Sequence, residues 1–213
     1  MIKDTSKGNC LNPQKSVCLG QPEGCDIDEM VVDYRSRYRD AIEEELGSLS
    51  TFTDFICGKA NKKEAPGIKK YCKNSHQFRM PSLTVDKAWA LLKKSGLERY
   101  DDFPGIHSVV HAVAKEIKQF SELAEYDFTQ RYCYSRGIYP DGVYLHAGVA
   151  VGARALKKAG YEFKVVDLGE RGKMIDLSTL PSPIAELGTI HAESFLCIYK
   201  HLLEKLSASK NNL

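Results

Sequence analysis

Apolar residues recur at helical spacing in the first part of the chain. Between residues 26 and 46 they stand at Met30, Val31, Tyr34, Tyr38 and Ile42, and Gly47 follows them. Spacings of three and four residues place side chains on one face of an α-helix, and a glycine commonly ends one. The pattern therefore predicts an amphipathic helix over 26–46. The next stretch, STFTDFICGKA, predicts a short second helix that ends near Gly58.

Three later segments also carry helix signals. In SLTVDKAWALLKKSG, Ser82 or Thr84 can cap a helix that Gly96 ends. In DDFPGIHSVVHAVAKEIKQFSELAEY, Asp102 is a cap and a proline follows in the first turn. The segment SPIAELGTIHAESFLCIYKHLLEKL is also helical in character, and we expect Glu193 within it to be a solvated helix residue.

The segment YEFKVVDLGERGKMIDL has a different pattern. Two runs rich in β-forming residues flank GERG, which predicts a β-hairpin over about 161–178. The expected fold class is therefore mainly α: a single compact helical domain over 26–207 with one small β-hairpin. Residues 1–25 predict an irregular arm that contains cysteines, and residues 208–213 a polar tail.

Between the helical segments lies YDFTQRYCYSRGIYPDG, which has little periodicity and predicts an ordered loop. The following stretch, YPDGVYLHAGVAVGARALKKAG, predicts a helix that Asp141 caps and that holds His146 in its second turn. Gly148 and Gly152 then fall on one face, four residues apart. We expect them to form a flat strip for close packing against another helix.

Composition and charge exclude several classes of protein. The formal net charge is +2, from 30 basic and 28 acidic residues, so nucleic acid is an unlikely partner. No apolar run is long enough to span a membrane, and the segment MIKDTSKGNC lacks the apolar core of a cleaved secretory signal. We expect either a cytoplasmic protein or one that is exported by a route that needs no cleaved signal.

Seven cysteines are a high number for a cytosolic chain of this length. Cys57 and Cys72 bracket a polar segment that is typical of a surface loop, so a disulfide between them is expected in an oxidising compartment. The alternative is a pair of buried free thiols, because unpaired cysteine often packs as a small apolar residue. A zinc site is not expected, because no Cys-x2-Cys pair is present.

Candidate catalytic and binding groups are densest between residues 125 and 146. The titratable members of this set are Glu125, Asp127, Arg131, Arg136, Asp141 and His146, and tyrosines including Tyr126 and Tyr144 lie among them. Carboxylates near a histidine can carry out general acid–base chemistry, and an arginine can hold an anionic group. The alternative is that these residues have structural roles. Asp141 would then cap a helix, and the arginines would stack on tyrosines and stabilise the surface.

His107 and His111 are four residues apart and can point to the same side of one helix. This spacing occurs in zinc sites, but there a glutamate usually follows the first histidine, where this chain has Ser108. Ordinary packed histidines are therefore expected, and a metal site formed by this pair is the alternative.

Short elements between residues 126 and 160 resemble the type 44 domain of bacterial polymorphic toxins. The matching elements are Tyr126-Asp127-Phe128, Tyr139-Pro140-Asp141, the set Tyr144, His146, Gly148 and Gly152, and the pair Ala159-Gly160. The resemblance implies an antibacterial effector that a secretion apparatus delivers, with Asp127, Asp141 and His146 as its site residues. A cognate immunity protein is then a further expected partner.

These observations lead to one principal hypothesis, a secreted antibacterial effector that hydrolyses a cell-envelope component such as peptidoglycan in the periplasm. Asp127 or Glu125 would act as acid or base, and His146 would pair with Asp141. Arg131 or Arg136 would bind an anionic group of the polymer, beside Tyr126 and Tyr144, and no cofactor is expected. One alternative is a non-enzymatic helical binding or inhibitor protein with a Tyr/Arg-rich interaction loop. The other is a metal-dependent helical enzyme or a nuclease toxin.

Overall fold

The computed structural model describes residues 26–67 and 70–210. The predicted arm over 1–25 and the end of the predicted polar tail lie outside this part of the chain. Within it the fold is mainly α with a small antiparallel sheet, as the hydrophobic pattern predicts. No helix of these residues is both long enough and apolar enough to cross a membrane.

The first predicted helix is present but is not a regular α-helix throughout. Helix α1 (Ile27–Tyr34) starts at Asp26, whose carboxylate accepts a 2.9 Å hydrogen bond from the Glu29 amide. A π-helical turn (Arg35–Arg39) joins α1 to α2 (Asp40–Gly47). Helix α3 (Phe52–Cys57) follows, with Thr51 and Asp54 forming a capping box and Gly58 ending it in the left-handed conformation.

The next helices are α4 (Ser82–Leu92), α5 (Phe103–Ala114) and α6 (Glu122–Tyr134). Two expectations are wrong here, because the predicted helix over 102–126 breaks after α5 and most of the predicted loop that follows is α6. The hydroxyl of Ser121 caps α6 through the Ala124 amide. Helix α6 is buried on almost all sides, with polar as well as apolar residues inside, so it has no amphipathic period to detect.

The predicted hairpin is confirmed, and it belongs to a three-stranded sheet. Strands β2 (Val165–Asp167) and β3 (Lys173–Ile175) pair antiparallel, and a short 3₁₀ turn over Gly169–Arg171 connects them. Strand β1 (Val143–Tyr144) pairs with the other edge of β3, so the strand order is β1-β3-β2. Because β1 has two residues, it leaves almost no alternating pattern in the sequence.

Helix α7 (Ala147–Lys158) is followed, after the hairpin, by α8 (Ser182–Ala185), α9 (Thr189–Ile198) and α10 (Lys200–Lys210). Helices α7 and α9 approach unusually closely. A Cβ atom added to Gly152 would lie 2.3 Å from the Leu196 carbonyl oxygen, and one added to Gly148 would lie 2.5 Å from the Cys197 sulfur. The expected strip of glycines for helix packing is therefore present, and α9 lies on it.

The buried apolar side chains form two clusters. The first lies mainly among α3, α4, α5 and α6, and the second lies among α1, α7, α9, α10 and the sheet. Strand β1 joins them, since Tyr144 packs in the first cluster and Val143 in the second. Successive side chains of a strand point to opposite faces, which explains this division. The candidate site residues lie near this junction.

The expected disulfide between Cys57 and Cys72 is not formed. Both are free thiols: Cys57 is fully buried at the end of α3, whereas Cys72 is exposed at the surface. Burial raises the pKa of the Cys57 thiol to about 12. Cys57 therefore packs as a small apolar residue in the first cluster, so the alternative of buried free thiols holds for Cys57 but not for the exposed Cys72.

The close approach of α7 and α9 predicts a large difference between two glycine substitutions. Gly152→Ala should lower the free energy of unfolding by about 1–3 kcal/mol or more, because the new methyl group meets backbone of α9. Gly47→Ala, in the last turn of α2 with open space around it, should be neutral or slightly stabilising. Urea denaturation of the two variants measures this, and equal stabilities would show that α7 and α9 can separate without cost.

Candidate functional site

His146 lies at the start of α7, directly after the sheet. The Leu145 amide donates to the Lys173 carbonyl at 2.8 Å, so strand β3 fixes the chain just before the histidine. His146 itself has extended backbone angles and is the N-cap of α7, where its carbonyl accepts from the Ala150 amide. The expectation that Asp141 starts this helix is therefore wrong, because residues 143–144 form β1 instead.

The imidazole of His146 pairs with Glu193, not with Asp141. Its Nε2 donates to Glu193 Oε1 at 2.6 Å, and both side chains are at least nine-tenths buried. Glu193 lies on α9, next to the residues that contact the glycines of α7. The expectation that Glu193 is a solvated helix residue is also wrong, because close helix packing turns it towards His146.

Two opposing effects set the pKa of His146. Burial alone lowers it, but the hydrogen bond to Glu193 and the negative charges of Glu193 and Asp127 outweigh burial, so the pKa lies above its ordinary value. Because Nε2 carries the proton donated to Glu193, the neutral ring has its lone pair on Nδ1. That Nδ1 is buried and has no hydrogen-bond partner among the described residues.

Glu193 also has a hydrogen-bond partner on its second carboxylate oxygen. The Ser194 hydroxyl donates to Glu193 Oε2 at 3.3 Å, and the Tyr34 hydroxyl lies beside Ser194. Tyr34 donates to His191 Nδ1 at 2.9 Å, and His191 Nε2 donates to Glu43 at 3.0 Å. Burial lowers the pKa of His191, so it is neutral at neutral pH. Ser194 therefore binds the Glu193 oxygen that His146 does not use.

His146 lines a pocket of about 390 Å³. The Tyr126 ring packs on the imidazole with centroids 5.0 Å apart, and Tyr144 packs on Tyr126 at 5.6 Å. Both predicted substrate-binding tyrosines are thus in the wall of this pocket. Burial holds the pKa of Tyr126 well above its ordinary range, so its hydroxyl keeps its proton at neutral pH.

Glu125, His107 and His111 line the same pocket. His111 Nδ1 donates to Glu125 Oε1 at 2.9 Å, and His107 Nε2 lies 3.1 Å from the same oxygen. Across residues 26–67 and 70–210, no three His, Cys, Asp or Glu side chains are placed so that they could hold a metal ion. Both histidines face the same carboxylate oxygen of Glu125.

Asp127 lies one residue beyond Tyr126 but takes part in a different network. Its Oδ2 accepts from Gln77 at 2.8 Å, from His76 at 3.1 Å and from Arg131 at 3.2 Å. Burial opposes ionisation, but the Arg131 charge and the hydrogen bonds from His76 and Gln77 outweigh it and lower the pKa of Asp127 to about 2. Asp127 is therefore a carboxylate at neutral pH and cannot act as a general acid.

The two candidate arginines hold structure rather than line the pocket. Arg131 is buried and also donates to the Phe55 carbonyl at 3.0 Å. Arg136 donates to the Tyr100 carbonyl at 2.7 Å and packs over the Tyr132 ring. Asp141 is exposed and accepts from the Tyr144 hydroxyl at 3.2 Å.

The sequence does not indicate that Glu193 and His76 are partners of the candidate residues. His76 pairs with Asp127, and the charges of His76 and Asp127 both act on His146, so the two histidine–carboxylate pairs are neighbours. Glu193 is 47 residues from His146 and has no local motif that links it to that histidine. His76 stands in a polar segment between helices, where no periodic pattern marks it.

Removing the carboxylate behind His146 should shift its titration. In Glu193→Gln, the negative charge is lost and burial remains, so the pKa of His146 should fall below that of the parent protein and below the ordinary value near 6.5. NMR titration of the histidine ring protons measures this. The exposed His201, which pairs with Glu204, is the internal control, and its ring-proton signals should be the same in both proteins. An unchanged pKa for His146 would contradict the pairing.

Loss of the Asp127 charge should destabilise the fold in a pH-dependent way. Asp127→Asn leaves the Arg131 guanidinium buried without its counter-charge, which typically costs about 3–5 kcal/mol at neutral pH. Since the folded pKa of about 2 lies below the unfolded value near 3.9, the stabilisation by Asp127 is present above the unfolded value and is lost as the pH falls towards 2.

Urea denaturation at neutral and acidic pH should therefore show the stability gap between Asp127→Asn and the parent protein narrowing as the pH falls. Asp101→Asn, at an exposed position, is the control and should have little effect. A gap that stays constant down to acidic pH would show that Asp127 is not held as a carboxylate.

Comparison of the chain with models of protein families, with curated proteins and with solved structures gives no match.

Proposed function

We propose that the chain is a hydrolase in which His146 is the general base and Glu193 orients it. The observation that carries this proposal is the buried 2.6 Å hydrogen bond from His146 Nε2 to Glu193, on a ring that lines a pocket and whose Nδ1 has no hydrogen bond within residues 26–67 and 70–210. A histidine held by a buried carboxylate, with its other nitrogen unpartnered, has the arrangement that general base catalysis needs.

The reaction that suits this arrangement is the hydrolysis of an acyl bond by a water molecule. Nδ1 of His146 takes a proton from water while the water oxygen bonds to the carbonyl carbon. The imidazolium ion that forms is stabilised by Glu193, and it then gives the proton to the leaving nitrogen or oxygen as the acyl bond breaks. His146 thus serves as base and then as acid, which requires a pKa near the working pH.

Tyr126 is the residue best placed to assist. Its ring contacts His146, and its hydroxyl remains protonated at neutral pH because burial raises its pKa. A protonated hydroxyl beside the reacting carbonyl can donate a hydrogen bond to the developing oxyanion. Glu125 and Asp127, the acids or bases expected from the sequence, are already bound by histidines, Gln77 and Arg131. Neither is needed for this reaction.

The biological role that we propose is a secreted antibacterial effector that acts on a cell-envelope component such as peptidoglycan. This role rests on the resemblance of residues 126–160 to the type 44 toxin domain, which includes His146 and both glycines of α7. The nearly balanced charge favours an envelope polymer over nucleic acid. The free Cys57 and Cys72 remove the argument from a disulfide, so the periplasmic site of action rests on charge and resemblance alone. A cognate immunity protein is the proposed partner.

One observation favours a second candidate, a phosphodiesterase. His76–Asp127 and His146–Glu193 are two neighbouring histidine–carboxylate pairs, and the pKa of His76 is raised, mainly by its hydrogen bond to Asp127. One histidine could then protonate a leaving oxygen while the other removes a proton. A cytoplasmic nuclease would use such a pair.

Expression in a bacterium with and without a periplasmic signal tests both candidates. We expect growth inhibition when the chain is sent to the periplasm. Purified protein should release soluble fragments from isolated sacculi, and His146→Ala or Glu193→Gln should lower that rate by about 100-fold or more, the usual value for a general base and its orienting group. His201→Ala is the matched control and should act like the parent protein.

Inhibition of growth in the cytoplasm alone would overturn the envelope target and favour the phosphodiesterase. Full activity of His146→Ala on sacculi would remove His146 from the reaction. Circular dichroism of each variant distinguishes loss of chemistry from loss of fold.

A further inference from the structure

Three histidines of the pocket at His146 each leave one ring nitrogen without a hydrogen bond to any residue that the structure describes. These atoms are His107 Nδ1, His111 Nε2 and His146 Nδ1, and all three rings line the pocket. The side chains of His107 and His146 are only 4% and 5% exposed. Buried polar atoms without hydrogen bonds are uncommon and costly, so three around one pocket indicate that a ligand satisfies them.

The partners of the other nitrogens show which hydrogen-bonding role is open. Glu125 takes the Nδ1 proton of His111 and lies 3.1 Å from His107 Nε2, and Glu193 takes the Nε2 proton of His146. In the neutral rings of His107 and His146 the proton is therefore on the nitrogen that faces a carboxylate. Both nitrogens of His111 face carboxylates, but Glu125 is 2.9 Å from Nδ1 whereas Glu170 is 4.0 Å from Nε2, so the closer contact places the proton on Nδ1. The unpartnered nitrogens carry lone pairs, and a ligand that satisfies them must donate hydrogen bonds.

The charged residues of the pocket do not favour an ionic ligand. Its lining holds three acidic residues and three of Lys and Arg. Lys115 pairs with Glu170, Arg171 donates to the Pro104 carbonyl at 3.3 Å, and Lys173 lies 4.0 Å from Asp167. Because the charges balance and the cations have partners, a neutral ligand fits better than a phosphate or an ammonium group.

The remaining wall is aromatic. Tyr126 and Tyr144 pack against each other and against His146 and His107, and Phe120 also lines the pocket. A volume of about 390 Å³ lies within the range of small-molecule sites, which combine such apolar walls with a few polar groups. A sugar ring has both parts that match: C–H faces for the aromatic rings and hydroxyl groups as donors for the histidines.

We infer that this pocket binds a neutral, hydroxyl-bearing sugar ring through His107, His111 and His146, within a wall that includes Tyr126 and Tyr144. The inference deepens the proposed function, on which its biological meaning rests, because it places the glycan part of an envelope polymer beside His146. The bond that is hydrolysed would then be an acyl bond close to a sugar.

The test is a titration of the full chain, labelled with ¹⁵N in its histidines, with chitotriose. We expect saturable shifts of the side-chain signals of His107, His111 and His146, with no change at the exposed His201. In isothermal calorimetry, His111→Phe should weaken binding about five- to tenfold, which corresponds to one lost hydrogen bond. His201→Phe is the matched control and should bind like the parent protein.

Two results would overturn the inference. One is the absence of saturable shifts in the pocket histidines at millimolar chitotriose. The other is stronger binding of inorganic phosphate or of an alkylamine at the same histidines, which would show an ionic site. Sugar binding is measured without turnover, so this experiment tests the sugar site independently of the release of fragments from sacculi. A chain that binds chitotriose but releases nothing would keep the sugar site and refute the hydrolase.

Discussion

The distance between α7 and α9 is the constraint on which the candidate site depends. At Gly152 the backbone of α9 lies where any side chain would be, and at Gly148 the Cys197 sulfur occupies that space. Only glycine allows this approach. It brings Glu193 within 2.6 Å of an imidazole that the sheet and the start of α7 hold from the other side. A wider spacing would leave both groups buried and unpaired, at a cost of several kcal/mol.

The second feature of the molecule is how it buries charge between two apolar clusters. Three carboxylates near the junction, Glu125, Asp127 and Glu193, are each bound by at least one histidine. Replacing a buried ion pair with apolar residues is often neutral or stabilising, so stability alone does not require these groups. The Asp127 network has an arginine and a glutamine in addition, and no buried side-chain nitrogen or oxygen of Asp127, Arg131 or Gln77 lacks a hydrogen bond. His107, His111 and His146, in contrast, each have one ring nitrogen without a hydrogen bond among the described residues. This difference in hydrogen bonding distinguishes the candidate site from the Asp127 network.

The sequence predicted the parts of the fold that rest on local chemistry. The amphipathic α1–α2 segment, the Asp102 cap, the hairpin and the glycine strip of α7 all follow from spacing or from single residue types. Helix α6 was missed because it is buried on both faces and contains Glu125, Asp127 and Arg131 inside, so its pattern is not amphipathic. Tertiary contacts, which local patterns do not report, decide its conformation.

Only the part of the candidate site that lies close to His146 in the sequence was predictable. His146, Tyr126 and Tyr144 lie close together in the chain, and they meet in the pocket. Glu193 comes from a distant helix, and its position depends on the helix packing just described. Asp141 does not pair with His146, because the chain extends into β1 between them and Asp141 stays at the surface.

Glu193 should fix the protonation of His146 so that Nδ1 is the basic atom. Long-range ¹H–¹⁵N correlation spectra of the protein with ¹⁵N-labelled histidine, at a pH above the pKa of His146, report this directly. We expect a single neutral tautomer, with the proton on Nε2 and an unprotonated Nδ1. A spectrum that shows the proton on Nδ1, or an average of both tautomers as in free histidine, would contradict it.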